Sequence, residues 1–274
     1  NFEPDYLDEN EFNDLIDKAI TAAPNKAIKS RLLSFKASVY NEMGDVNESL
    51  NQIENAIILT PEDFGLYHQK VYILFSSKRL VEAFDLIDYI VEQFEDGKFM
   101  MMQTKSVIYY KDKDFESALK VSDEMLKMFP IEKSKTDYAS MLNNRALFFA
   151  EIGRKEEAIE TAKEMIDVDK ENGNLRDSFG EILLIMEDYD DAIEQFGEAI
   201  KLAKPSNNWY VDQSYIKMGL CYMKMGIYDK AKESFETGRA LLEKKPPKER
   251  SAFEHDPNKY LMELKKLVEK NENH

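Results

Sequence analysis

Six small residues, Ser49, Ala83, Ala118, Ala158, Ala192 and Ala231, hold the same place in a recurring phrase of apolar spacing, turn and apolar spacing, at steps of 34, 35, 40, 34 and 39 residues. A period of this length constrains the fold more tightly than composition does. One such unit cannot bury its own apolar face, so each must stack on its neighbours in a linear array. In the first full unit Leu33, Ala37 and Tyr40 share one helical face, Gly44-Asp45 supplies a turn, Ser49, Ile53 and Ala56 share a second face, and Pro61 ends the phrase. The last unit restates it as Tyr215, Gly219, Tyr222, Gly226, Ala231, Phe235 and Gly238. Small residues belong where two antiparallel helices come closest, and large ones where they diverge.

The intervening units carry the same pattern with drift. The second offers Tyr67, Val71, Leu74, Ala83 and Ile87; the third Met102, Ser106, Tyr109 and Ala118; the fourth Leu142, Ala146, Phe149 and Ala158; the fifth Phe179, Gly180, Leu183, Ala192 and Phe196. Lys78, Lys113 and Glu187 stand where other units carry the turn glycine, and Arg176 replaces an apolar residue. With only 10 Gly and 8 Pro in 274 residues, hairpins and sheets have little room.

On these positions residues 30–243 resemble the tetratricopeptide repeat family. The resemblance implies an all-α fold, a right-handed superhelical solenoid of antiparallel helix pairs with terminal capping helices. Six repeats are expected over residues 30–243. Residues 1–29 are expected to hold a capping helix or degenerate half repeat, on the helical spacing of Phe12, Leu15, Ile16, Ala19 and Ile20 ahead of Pro24, preceded by acidic Glu3, Asp5 and Asp8. Residues 244–274 read as a linker broken at Pro246-Pro247 and a capping helix that starts at Asp256-Pro257. Its apolar stripe is Tyr260, Leu261, Leu264, Leu267 and Val268. A monomer is favoured, with docking of that stripe on a second copy as the alternative. The two long steps place extra residues at 131–138 and 204–210, where first helices are expected to begin early and Trp209 is expected to pack on a neighbouring helix.

The chain offers little chemistry. His68, His255 and His274 are scattered, Cys221 stands alone, and neither a phosphate-binding glycine loop nor a zinc-binding helix motif occurs. The acidic run Glu187–Asp191 lacks the glycine and distal glutamate of a calcium loop, and carboxylates at a helix start complement its dipole. The expectation is therefore a non-enzyme with no cofactor and no metal. A formal charge of −16 disfavours nucleic-acid binding and favours basic, apolar or amphipathic partners. No apolar run approaches the roughly 18 residues needed to span a bilayer, and no secretory signal is visible, so a cytoplasmic location is expected.

The family resemblance further implies that first helices line a concave groove for protein or peptide ligands. Carried over by register, the binding residues are His68, Gln69, Tyr72 and Phe75 in the second unit, Gln103 and Tyr110 in the third, and Asn143, Asn144 and Leu147 in the fourth. Arg31, Ser34, Phe35 and Ser38 extend this wall at one end, Thr104 and Val107 within the third unit, and Asp177, Ser178, Glu181, Ile216, Lys217 and Leu220 at the other. Tyr72, Phe75 and Tyr110 fall outside the predicted seam, and the amides of Gln69, Gln103, Asn143 and Asn144 suit a peptide backbone. The family's carboxylate clamp is matched only by Asn144 with Arg145, and its asparagine ladder is not matched. The function expected is a protein- or peptide-binding scaffold; the alternative is a regulatory receptor of the same type, acting through a partner or an effector domain.

Overall fold

The computed structural model describes residues 9–205, 208–246 and 255–272. Among them are fourteen α-helices and no β-strand: α1 (Glu9–Thr21), α2 (Lys26–Met43), α3 (Val46–Leu59), α4 (Phe64–Ser76), α5 (Leu80–Gln93), α6 (Lys98–Lys111), α7 (Phe115–Met128), α8 (Lys135–Glu151), α9 (Lys155–Val168), α10 (Gly173–Ile185), α11 (Tyr189–Leu202), α12 (Val211–Lys224), α13 (Tyr228–Glu243) and α14 (Pro257–Glu272). Glu3, Asp5, Asp8 and Pro247 lie outside the described residues. The helices form two compact units, residues 1–108 and 109–274.

Local chemistry accounts for where the helices begin. Asn25, Asp45, Asp63, Asp114, Ser134 and Asn172 each accept a backbone N–H of the first turn at 3.0–3.2 Å, satisfying a donor the helix itself cannot. Arg79 and Arg154 precede α5 and α9 without such a cap, and each instead pairs with a glutamate three residues on, Glu82 and Glu157.

The turns inside the pairs need left-handed backbone. Gly44, Gly153 and Gly226 supply it at φ of 84, 78 and 77°, and Lys78, Lys113 and Glu187 adopt it at 62, 63 and 62°. That conformation costs a residue with a Cβ about 1–2 kcal/mol, whereas glycine loses an extra ~0.5–1 kcal/mol of chain entropy on folding. Glu187→Gly, like Lys78→Gly or Lys113→Gly, should therefore raise the unfolding free energy by about 0.5–1 kcal/mol. Urea denaturation reads this directly, and a loss of stability would mean that the native side chain makes a compensating contact.

The small residues sit where the period places them. In the first unit Ala37, Ile53, Ala56 and Ala83 are fully buried with Leu33, Leu66 and Leu74, and Val71, Ile87, Ile90 and Met101 continue the core. In the second, Ala118, Ala146, Ala158, Ala162, Ala192 and Phe196 are buried in one cluster. Ile216, Ala231 and Phe235 form a further cluster covered by α14, whose Leu264 is buried and whose Tyr260 ring stacks on Phe235 at 5.5 Å.

The two long steps differ from expectation in one case. Helix α8 does start early, at Lys135, and runs for 17 residues against 14 in α6 and α12. Helix α12 does not: it starts at Val211, and residues 203–205 and 208–210 ahead of it are not helical. The reason is Tyr210, which is 1% exposed and donates its hydroxyl to the Ala199 carbonyl at 3.3 Å, anchoring the chain before the helix begins. Trp209 beside it is 60% exposed, with its ring nearly perpendicular to that of Tyr210 at 5.8 Å, so most of the indole faces solvent instead of packing in a helix seam.

Candidate functional site

First helices of successive repeats lie side by side, tied by polar contacts about one repeat apart in sequence. Within residues 1–108, Ser34 Oγ donates to Gln69 Oε1 at 2.6 Å, and Gln69 Nε2 donates to the Ser34 carbonyl and to Ser38 Oγ, both at 2.8 Å. Ser76 Oγ donates to Asn41 Oδ1 at 3.1 Å, and Thr104 Oγ1 meets His68 Nε2 at 3.4 Å. Burial pushes the His68 imidazole below its usual pKa, which favours the neutral ring. These contacts assemble α2, α4 and α6 into one wall.

The wall revises the expected roles of its residues. Both N–H groups of the Gln69 amide are engaged by α2, so Gln69 holds the wall together rather than presenting an amide to a peptide. Tyr72 is 60% exposed and Phe35 54%, and Val107 is also exposed, so these three place apolar surface in solvent. Phe35 has the edge of Phe12 beside it at 6.1 Å. His68 and Gln103 are half-buried, and Phe75, also half-buried, packs against the Val71 and Ile87 cluster.

Within residues 109–274 Tyr110 departs from expectation. Its ring packs at 5.6 Å from Phe115 and 5.5 Å from Phe148, and its hydroxyl donates to Glu151 at 3.1 Å, so it belongs to the seam and not to an open surface. Asn143 lines a cleft of about 550 Å³ between α8, α9 and α10, with Ser140, Asn174 and Ser178. Among the described residues the side chains of Asn143, Asn174 and Ser178 have no polar partner, which leaves amide donors and acceptors open in one place. Asn144 and Leu147 are half-buried on the same helix. Arg145 is committed elsewhere, to Asp123 at 2.9 Å, to Thr161 at 3.2 Å and to the face of Phe149 at 4.7 Å, so it has no role as a clamp.

Further along, the register places Asp177, Ile216 and Lys217 on the groove, but all three are buried. Lys217 Nζ donates to Asp177 Oδ2 at 2.6 Å and to Glu181 Oε2 at 3.0 Å, and Ser214 Oγ donates to Asp177 Oδ1 at 2.5 Å. Burial raises the Asp177 carboxyl despite the ammonium beside it, and the charges of Asp177 and Glu181 raise Lys217 against its own burial. An ion network thus fills the space where ligand contacts were expected. Its sequence signal was available: opposite charges at 177 and 217, one long step apart on facing first helices.

Cys221 is fully buried, and burial pushes its thiol up to about 12. The native protein should therefore resist iodoacetamide at pH 8, while urea-unfolded protein reacts as an ordinary thiol. Equal labelling rates would show that α12 opens freely. Among the described residues no group of three or more His, Cys, Asp or Glu could hold a metal ion, and no helix is long and apolar enough to cross a membrane.

Comparison with known proteins agrees with this architecture. Residues 11–64 and 75–177, more than half of the chain, match the family model described as Anaphase-promoting complex subunit 5, and residues 212–238 match that described as Tetratricopeptide repeat. No curated protein matches the chain in sequence. Among solved structures, a tetratricopeptide repeat protein from Parabacteroides merdae ATCC 43184 superposes with a TM-score of 0.64 at 12% identity, covering 93% of this chain and 91% of that one. Yeast Tom70 superposes with a TM-score of 0.58 at 17% identity, covering 81% of this chain and 45% of that one. With fourteen helices paired around the small residues of a recurring phrase, and with both family models matching stretches of it, the chain belongs to the tetratricopeptide repeat family.

Proposed function

We propose that this protein is a non-catalytic scaffold that holds a protein or peptide partner on the exposed faces of its first helices. The observation that carries this reading is the solvent exposure of Phe35, Tyr72 and Val107 on helices tied to one another by hydrogen bonds. Large apolar side chains gain nothing from water, and grouped on a rigid surface they suit the apolar anchors of a partner. In the second unit the open amides of the cleft at Asn143 and Asn174 suit a peptide main chain, whose N–H and C=O groups need both donors and acceptors. The match to a model named for a subunit of a complex supports a role in holding other proteins.

The double variant Phe35→Ser, Tyr72→Ser tests the reading. Both side chains are more than half exposed, so stability should change by no more than about 0.5 kcal/mol for each. Partners recovered by quantitative affinity capture from native lysate should fall at least tenfold, roughly 1.4 kcal/mol of binding. Ile58→Ser, at a residue 75% exposed on the second helix α3, should leave recovery unchanged. Undiminished capture by the double variant would overturn the assignment.

A further inference from the structure

The wall of residues 1–108 restricts the conformation of what it binds as well as its polarity, given the reading of that wall as a docking face. Ser34 bonds Gln69 and Ser76 bonds Asn41, both pairs 35 residues apart, so α2 and α4 run parallel, and α6 continues the row through Thr104 and His68. Each helix presents one of Phe35, Tyr72 and Val107 to solvent, and Ile28 and Met100 are exposed seven residues before the first and the last. Tyr72 and Val107 hold the same place in the repeat, one residue after buried Val71 and Ser106, whereas Phe35 stands two residues before buried Ala37. Helices in contact lie about 8–10 Å apart and three residues of helix rise about 4.5 Å, so successive anchors are about 8–11 Å apart.

The middle of this face carries no charge, although 33% of the chain is Asp, Glu, Lys or Arg. Arg31 and Glu42 are the charged residues in helical register with Phe35. The matching face of α4, Gly65, His68, Tyr72 and Ser76, has no such residue, and neither has that of α6 from Met100 to Val107 through Gln103. Its polar groups are also committed within the wall. Gln69 spends its amide on Ser34 and Ser38, Ser38 Oγ donates to the Ser34 carbonyl at 3.4 Å, and Thr104 Oγ1 donates to the Met100 carbonyl at 2.8 Å.

A segment lying on this wall must therefore satisfy its own main chain. An extended strand leaves N–H and C=O groups unpaired wherever the wall covers them, and its side chains three residues apart, about 10 Å, point to opposite faces. A polyproline helix returns to one face every three residues, about 9.3 Å, but has no internal hydrogen bonds. An α-helix pairs the main-chain groups of its interior and brings side chains seven residues apart to nearly the same face, about 10.5 Å on. We propose that the wall takes an amphipathic α-helix of its partner, laid across α2, α4 and α6, whose uncharged apolar side chains at seven-residue steps meet Phe35, Tyr72 and Val107.

Isothermal titration calorimetry tests this with an acetylated, amidated peptide of three copies of Leu-Ala-Glu-Gln-Ala-Ala-Lys, in which leucine recurs every seven residues. It should bind saturably, one to one. A peptide of the same composition with its leucines at four-residue steps should bind at least tenfold more weakly, and so should four copies of Leu-Pro-Gln, which repeats leucine every three residues without forming an α-helix. Exchanging the central leucine of the first peptide for Gln should weaken binding to the wild type at least fivefold, but binding to Tyr72→Ser less than twofold, because Tyr72 is the middle anchor in either orientation of the helix. Absence of binding by the first peptide, equal affinity for the four-step peptide, preference for the proline peptide, or the same loss from the central exchange in both proteins overturns the proposal. Should any of these occur while Phe35→Ser, Tyr72→Ser still loses its partners from lysate, the wall remains a docking face and only the helical form of its partner is wrong.

Discussion

Lys217→Met should lower the unfolding free energy by about 3–5 kcal/mol at pH 7, the expected cost of leaving a buried charge without its partner. The side chains of Lys217 and Asp177 are only 5% and 9% exposed, and the ammonium is the main compensation for the Asp177 carboxylate. Ser214 would remain as a single hydrogen-bond donor. The loss should depend on pH with a definite sign. Burial already raises the Asp177 pKa, and removing Lys217 raises it further. A carboxyl whose folded pKa exceeds its unfolded one is neutral in both states at low pH, and folding is penalised as pH rises through the folded value. The deficit should thus shrink towards pH 4 and be largest at neutral pH. Replacing both members, Asp177→Leu with Lys217→Met, should restore most of the stability, because no charge is then stranded. A single variant within about 1 kcal/mol of wild type at pH 7 would show that water reaches the pair.

Two glycine substitutions that look alike should have opposite signs. Glycine within a helix is worth roughly 0.5–1 kcal/mol less than alanine, so Gly→Ala is stabilising wherever a methyl group fits. At Gly197 in α11 nothing lies within 4 Å of the added carbon, and Gly197→Ala should gain about 0.5–1 kcal/mol. At Gly180 in α10 the same carbon would meet Phe196 ring atoms at 2.6 and 2.7 Å. Phe196 is fully buried and has nowhere to move. Overpacking of this kind costs about 1–3 kcal/mol, which exceeds the gain in helix propensity, so Gly180→Ala should be destabilising. Urea denaturation of the two variants beside wild type reads both signs in one experiment. Stabilisation by Gly180→Ala would mean that α10 and α11 are not in close contact there.

The helix pairs were legible because their signal is repeated. Ala37, Ala56, Ala83, Ala118, Ala158, Ala192 and Ala231 each mark a close approach, and an error at one position is corrected by the next. The lysines and the glutamate in place of turn glycines were readable for the same reason, since Lys78, Lys113 and Glu187 occupy a known place in the phrase. The face of a first helix has no such redundancy. Tyr72 and Tyr110 fall on comparable stretches of spacing, yet Tyr72 stands in solvent and Tyr110 is wedged between Phe115 and Phe148. Which of them is open depends on the bulk of side chains on other helices, and periodicity within one helix carries no information about that.

Gln69, Lys217 and Trp209 illustrate the same boundary. The order of residues along the chain dictates the period, the pairing of helices, their caps and turns, and the placement of small residues, because these depend on neighbours within a few turns or on a pattern restated six times. The use of a polar side chain is settled by what folding brings across from it. Gln69 meets Ser34 and Ser38, so its amide becomes part of the wall; Lys217 meets Asp177 and Glu181, so charge expected on a groove becomes part of the core. Tyr210 takes the interior site that leaves Trp209 outside. A hydrogen bond or ion pair acts over about 3 Å, and only the folded chain determines which groups come that close.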